Sequence, residues 1–137
     1  MSVVFALTLA VGLRATPAHG APLPREFENN GELLLENIPH ELRSSSSVFR
    51  SRCAQCHSLN RPLEALATGL GPVSGRPFEA EDIKQYVVRM MRKRGSSIRR
   101  AEAMALVRFL VFVREVGREA QSRERQDSGS NEELTAD

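Results

Sequence analysis

The sequence predicts an all-α domain. Three observations lead to this prediction: apolar residues recur at spacings of three and four in two segments, no segment alternates between apolar and polar residues, and Ser or acidic residues precede the helical segments. The chain has 137 residues, of which 41% are hydrophobic, and this suits one small domain. A core with six Phe, one Tyr and no Trp would gain from a disulfide, a metal or a cofactor.

The first twenty residues are typical of an export signal. Residues 3–13 are apolar, and Ala18 and Gly20 place small side chains before a cleavable bond. No Lys or Arg precedes the apolar run, which departs from the usual signal. We expect residues 1–20 to be a signal peptide, cleaved after Gly20, and the mature chain to be periplasmic. Eleven apolar residues fall short of the roughly 20 that span a bilayer, so we expect no transmembrane anchor after cleavage.

The first half of the remaining chain is predicted to hold one helix and two irregular segments. Pro22, Pro24 and Gly31 make residues 21–43 an irregular extension. Four consecutive Ser at residues 44–47 supply candidate N-caps for a helix that begins near Val48 and runs into two cysteines. Three Pro and three Gly in residues 60–77 predict a loop, broken by a helical turn over residues 63–67.

The second half is predicted to hold two helices and a tail. Residues 80–92 have helical spacing, with acidic residues near their start, and Gly95 ends this helix. Residues 98–116 are predicted to form the last helix, with Ser96 or Ser97 as its cap and Gly117 as its end. Met104 is predicted to be buried on the apolar face of this helix. Residues 118–137 are almost wholly polar and are predicted to be a disordered tail.

The charge is small but unevenly distributed. The formal net charge of +2 does not indicate nucleic acid as a partner. Residues 89–100 hold six basic side chains and no acidic one: Arg89, Arg92, Lys93, Arg94, Arg99 and Arg100. This basic stretch either attracts an acidic partner or is a solvated helix end with cations that suit the helix dipole.

The run Cys53-Ala54-Gln55-Cys56-His57 is the pattern for covalent attachment of haem c. Two thiols three residues apart lie on one face of a helical turn, where they can form thioethers with the two vinyl groups of one haem. His57 then supplies a neutral imidazole nitrogen to the iron, as its proximal ligand. The motif uses both cysteines of the chain.

Other readings of the cysteines are weaker. A Cys-x-x-Cys disulfide is usually redox-active, and nothing here suggests a βαβ redox fold, although a non-haem binding module with a disulfide stays open. A closed zinc site needs four ligands, and only Cys53, Cys56 and His57 cluster in sequence.

A second axial ligand would come from methionine. Met90, Met91 and Met104 all follow the haem motif. Because Met104 is predicted to pack in the core of the last helix, the choice falls between Met90 and Met91.

Residues 44–116 resemble class I cytochromes c. Phe49 stands four residues before Cys53, the attachment motif follows, and an amphipathic helix closes the segment. The resemblance covers about half of the chain. It implies a cytochrome c-like fold of three to four helices around one haem c, with the cytochrome c domain at residues 44–117. Ser45 stands where this class often has the Gly that lets the first and last helices cross, with Phe49 and Phe109 or Leu110 at the crossing.

Within this class the chain is similar to small bacterial cytochromes with two further motifs. One is Leu-x-Arg-Pro after the haem motif, here residues 59–62, and the other is Arg-Met-x-x-x-Pro-Gly-Ser, here residues 89–96 with Arg94 in place of Pro. The similarity implies Met90 as the distal iron ligand, with Met91 as second choice. The class also implies a loop Pro whose carbonyl accepts a hydrogen bond from the proximal His, and Pro62 and Pro72 both qualify by type.

The resemblance implies a periplasmic one-electron carrier with His/Met iron ligation, and not an enzyme. Its partners would be redox proteins, such as an exported dehydrogenase or a terminal oxidase. The alternative is a five-coordinate haem c sensor or small-ligand-binding protein, in which Met90 and Met91 only pack.

Overall fold

The structure is a computed structural model, and it describes residues 23, 28–29 and 32–134. The predicted signal peptide and its cleavage site lie outside the described residues. The described residues are mostly helical, as predicted. Four α-helices follow one another along the chain: α1 Arg43–Cys53, α2 Asn60–Thr68, α3 Ala80–Met91 and α4 Arg100–Leu134.

The segment before α1 holds more regular structure than predicted. Two short strands, β1 Glu28–Asn29 and β2 Glu32–Leu33, pair antiparallel. Two 3-10 turns follow, at Leu35–Asn37 and His40–Leu42. Their chain then continues directly into α1.

The longest helix, α4, is the common partner of the other three. Each of α1, α2 and α3 packs against α4, and among the described residues no two of them share an interface of comparable size. Phe49 of α1 and Phe109 of α4 are fully buried, with ring centroids 5.5 Å apart, as expected for the crossing of the first and last helices. Ser45 is buried one turn away, so a small residue does stand near this crossing.

The first two α-helices differ from the prediction. The predicted start of α1 near Val48 is wrong, because the helix begins at Arg43 and the four Ser lie inside it, where Ser46 Oγ donates to the Arg43 carbonyl at 2.8 Å. The predicted loop at residues 60–77 contains the nine-residue helix α2. Pro62 does not prevent this helix, because in the first turn its missing N–H has no helical partner to lose.

The predicted end of the last helix at Gly117 is also wrong, and residues 118–134 are helical instead of a disordered tail. Gly117 is buried where α2 crosses α4, and a Cβ at this position would lie 2.9 Å from Ala67 Cα and from the Leu66 carbonyl oxygen. Its role is therefore close approach and not helix termination. One turn later, Gln121 Nε2 donates to the Ala67 carbonyl at 2.7 Å.

The bounds of α3 are confirmed to within one residue. Glu79 caps its first turn, and Asp82 Oδ2 accepts a hydrogen bond from the Glu79 backbone N–H at 3.1 Å. Arg114 of α4 is buried, and its Nη2 donates to Glu79 Oε1 at 3.0 Å. This contact fixes the start of α3 on α4.

Two further predictions are wrong, one about the cap of α4 and one about its apolar face. Neither Ser96 nor Ser97 caps the helix, because Glu102 Oε2 accepts from the Arg99 backbone N–H at 2.8 Å. Met104 is not a core residue, since 63% of it is exposed. It follows Ala103 of the buried face by one position, which is about 100° around the helix.

Candidate functional site

The two cysteines lie where α1 ends. Cys53 is the last residue of the helix and is half-buried against the core, whereas Cys56 is exposed in the following turn. Both thiols are free. The turn is closed by the Cys56 backbone N–H, which donates to the Cys53 carbonyl at 3.5 Å. The helical end of α1 therefore presents two thiols and then His57 within five residues.

Burial distinguishes the Cys53 thiol from an exposed one. Burial, and after it the neighbouring Cys56, raises the pKa of Cys53 from 9.0 to about 11. The thiol is therefore protonated at neutral pH. Since the thiolate is the form that attacks disulfides and binds metals, the buried position keeps Cys53 less reactive than an ordinary cysteine.

The ring of His57 is oriented by its own backbone neighbour. His57 Nδ1 lies 2.9 Å from the Ser58 carbonyl oxygen. Because a carbonyl only accepts, the neutral imidazole carries its proton on Nδ1 and leaves Nε2 as a metal donor. The predicted acceptor, a loop Pro carbonyl, is wrong. The Pro72 carbonyl accepts from Arg61 Nη2 at 3.2 Å, and Pro62 lies inside α2.

Met90 and His57 line the same two cavities. The central cavity, of about 20 Å³, has a mainly apolar wall made of Phe49, Cys53, His57, Pro62, Tyr86, Val87, Met90, Ile98, Leu106 and Leu110. The attachment cavity, of about 70 Å³, is lined by Arg52, Cys53, Gln55, Cys56, His57, Met90, Lys93, Ser96, Ser97 and Ile98. Met91 lines neither of them and packs against the core.

A larger cleft lies on the other side of Tyr86. It has a volume of about 470 Å³ and is formed by residues 71–78 and the outer face of α3, with Arg76 and Arg89 in its wall. Tyr86 separates this cleft from the central cavity and meets Phe78 edge-on, with ring centroids 5.7 Å apart. Burial is the main cause that raises the pKa of Tyr86, and the negative charge that Cys53 carries once its thiol ionises is the second.

The donors around the central cavity fit a covalently attached haem. One free thiol, that of Cys53, an imidazole with Nε2 available and the thioether of Met90 line a mainly apolar space, and the second free thiol, that of Cys56, lines the attachment cavity. This is the donor set and polarity that haem c requires. The cavities of about 20 and 70 Å³ are much smaller than the roughly 300 Å³ at which ligand pockets begin. Filling the site therefore requires its walls to move apart.

The basic stretch borders the site. Its six side chains are all exposed, and Lys93 lines the attachment cavity. Arg99 is paired with Glu102 at 3.1 Å, so it is only partly available to a partner.

A polar cluster that the sequence did not predict lies beside the motif. Arg52 precedes the first cysteine and bonds Glu102 of α4 at 2.7 Å, while Gln55 and Ser97 are joined at 3.0 Å. One signal was available, because Glu102 stands three residues after Arg99, the spacing of a capping carboxylate.

Comparison of the chain with protein-family models, curated proteins and solved structures found no match. None of the helices in the described part of the chain is both long and apolar enough to cross a membrane. Within that same part, no three His, Cys, Asp or Glu side chains form a group that could hold a metal ion.

Proposed function

We propose that this chain is an exported c-type cytochrome that carries one electron at a time. Cys53 and Cys56 would hold a single haem c, and His57 and Met90 would bind its iron. One observation carries the proposal: Met90, which is distant in sequence from Cys53 and His57, lines one mainly apolar cavity together with them.

The roles of the residues follow from their surroundings. When bound, the haem supplies an iron that alternates between the ferric and ferrous states. His57 Nε2 is available to the iron because the Ser58 carbonyl accepts the hydrogen bond from Nδ1–H of the same ring. Phe49, Leu106 and Leu110 exclude water, which together with a thioether ligand favours the ferrous state and raises the reduction potential.

The small number of titratable side chains in the central cavity favours an electron carrier over an enzyme. Apart from Cys53, His57 and Tyr86, the residues that line the central cavity have no titratable side chain. Substrate chemistry needs placed acids and bases, whereas electron transfer needs a rigid and dry surrounding. We propose a periplasmic location and redox partners such as an exported dehydrogenase or a terminal oxidase, with an acidic surface that meets the basic stretch.

The test is the intact mass of the full chain, produced in a bacterial host with the machinery for haem c attachment and measured under denaturing conditions. We expect the mass of a chain that begins at Ala21 plus one haem. The control is the double variant Cys53→Ala, Cys56→Ala, which should be exported without haem. A wild-type chain that is colourless and has the unmodified mass contradicts the proposal.

A further inference from the structure

One carboxylate joins the start of α4 to the end of α1 beside the candidate haem site. Glu102 is buried, and its Oε1 accepts from Arg52 Nε at 3.1 Å, from Arg52 Nη2 at 2.7 Å and from Arg99 Nη2 at 3.1 Å. Its Oε2 accepts from the Arg99 backbone N–H at 2.8 Å. Hydrogen bonds between charged groups are about twice as strong as neutral ones, so this is a strong polar link between the two helices.

The same arginine also reaches the connection between α3 and α4. Arg52 Nη1 donates to Ser97 Oγ at 3.2 Å, and Ser97 Oγ donates to Gln55 Oε1 at 3.0 Å. Gln55 lies between the two cysteines. We call these five residues the Glu102 latch: Arg52, Gln55, Ser97, Arg99 and Glu102.

The latch forms part of the wall of the site. Arg52, Gln55 and Ser97 line the attachment cavity together with His57 and Met90. The connection, residues 92–99, begins immediately after α3, whose last two residues are Met90 and Met91. A movement of this connection away from α1 would therefore open the space on the side of Met90 and change where Met90 lies.

We propose that Glu102 is a positioning residue for the distal iron ligand. Through Arg52 and Arg99 it holds the connection of residues 92–99 closed over the attachment cavity, and this keeps Met90 near the iron and excludes external ligands. The inference rests on the proposed function. Glu102, which lines neither cavity, would then set how readily an external ligand replaces Met90.

The experiment uses the haem-loaded full chain in the ferric state and measures the rate of cyanide binding by stopped-flow absorbance. Glu102→Gln keeps the size of the side chain and removes its charge, so we expect binding about tenfold faster than in wild type, the change that accompanies loss of one charge-assisted hydrogen bond. An unchanged rate in a haem-loaded variant overturns this inference and leaves the proposed function standing. A wild-type chain without haem overturns both.

Two control variants separate positioning from general loosening. Glu115→Gln removes an ion pair with Arg118 on the same helix, lines neither cavity and should keep the wild-type rate. Gly117→Ala should weaken the contact between α2 and α4 without touching the latch, and should also keep the wild-type rate. If Gly117→Ala accelerates cyanide binding as much as Glu102→Gln does, the effect is global and the inference is wrong.

A milder variant covers the case in which Glu102→Gln does not fold. Ser97→Ala breaks the link from Arg52 to Gln55 and leaves all four bonds of Glu102 in place. We expect cyanide binding about threefold faster, since only the hydrogen bonds of one uncharged hydroxyl are lost and the ion pairs of Glu102 remain. A rate equal to that of wild type contradicts the latch in this case as well.

Discussion

At the scale of single residues, the two neighbouring methionines near the end of α3 have different surroundings. Met90 lines both cavities that His57 lines, whereas Met91 is half-buried against the core. Adjacent positions on a helix point about 100° apart, so only one of the two can face the cavity. Proximity in sequence therefore does not make them interchangeable as ligands.

We predict that Met90→Ala abolishes the absorption band that a thioether bound to ferric haem produces, whereas Met91→Ala retains it. Met91→Ala should instead lower the free energy of unfolding by about 1–2 kcal/mol, because it truncates a half-buried side chain. Visible spectroscopy and urea unfolding measure the two effects. The matched control is Met104→Ala, which truncates an exposed methionine and should change neither quantity. Loss of the band in Met91→Ala alone would exchange the assignments.

The mutual placement of Cys53, Cys56 and His57 could be predicted from the sequence because it is local. Cys53, Cys56 and His57 lie within one helical turn and its continuation, so their order alone fixes their mutual placement. The acceptor for His57 was mistaken, because it is the adjacent Ser58 and not a loop proline. Glu102 was missed because its contact with Arg52 spans 50 residues, and only the crossing of α1 and α4 brings the two together.

At the scale of the elements, the helices that could be predicted are those with local start signals. The start of α3 was correct because Glu79 and Asp82 cap it within its own sequence. The helix α2 is predicted only as a turn over residues 63–67 within a loop, because residues 60–77 hold three Pro and three Gly, although Pro62 is tolerated in a first turn. The predicted α4 is too short because Gly is a common residue at the end of a helix. Gly117 is instead required by the close crossing of α4 with α2.

We predict that Gly117→Ala lowers the free energy of unfolding by about 1–3 kcal/mol, the usual cost of overpacking. In an exposed helix the same replacement raises the free energy of unfolding by about 1 kcal/mol. The sign of the measured change therefore shows whether Ala67 lies close to α4 at this position. Urea unfolding followed by circular dichroism measures the change. Ser122→Ala, at an exposed position of the same helix, is the control and should be neutral or slightly stabilising. A stabilised Gly117→Ala variant would show that the helices are not in contact there.

At the scale of the whole molecule, one carboxylate links the stability of the α1–α4 crossing to pH. Hydrogen bonds from Arg99, and then those from Arg52, lower the pKa of Glu102 from 4.5 to about 2. An acid with a lower pKa in the folded chain than in the unfolded chain stabilises the fold above its unfolded pKa. This contribution is complete above about pH 4.5 and is lost as the pH falls towards 2.

We predict that wild type exceeds Glu102→Gln in free energy of unfolding by a constant amount between pH 5 and pH 8, because Glu102 is charged in both states there. The difference should shrink as the pH falls from about 4.5 to about 2, where the carboxyl becomes protonated. Urea unfolding of both proteins across this range measures it. Glu115→Gln, compared with wild type in the same way, controls for the general effect of acid. A difference that does not change with pH contradicts the role of Glu102.

The arrangement of three helices on one common partner has a consequence for how the cell could monitor this protein. Because α1 and α3 meet α4 but share no comparable interface with each other, a prosthetic group bonded to α1 and ligated from α3 would supply the missing connection. If the proposed haem is that group, the chain without it would open more readily between these helices, and proteases act on such open states. Molecules without the prosthetic group would then be degraded before those that carry it, so the fold would favour the survival of complete molecules.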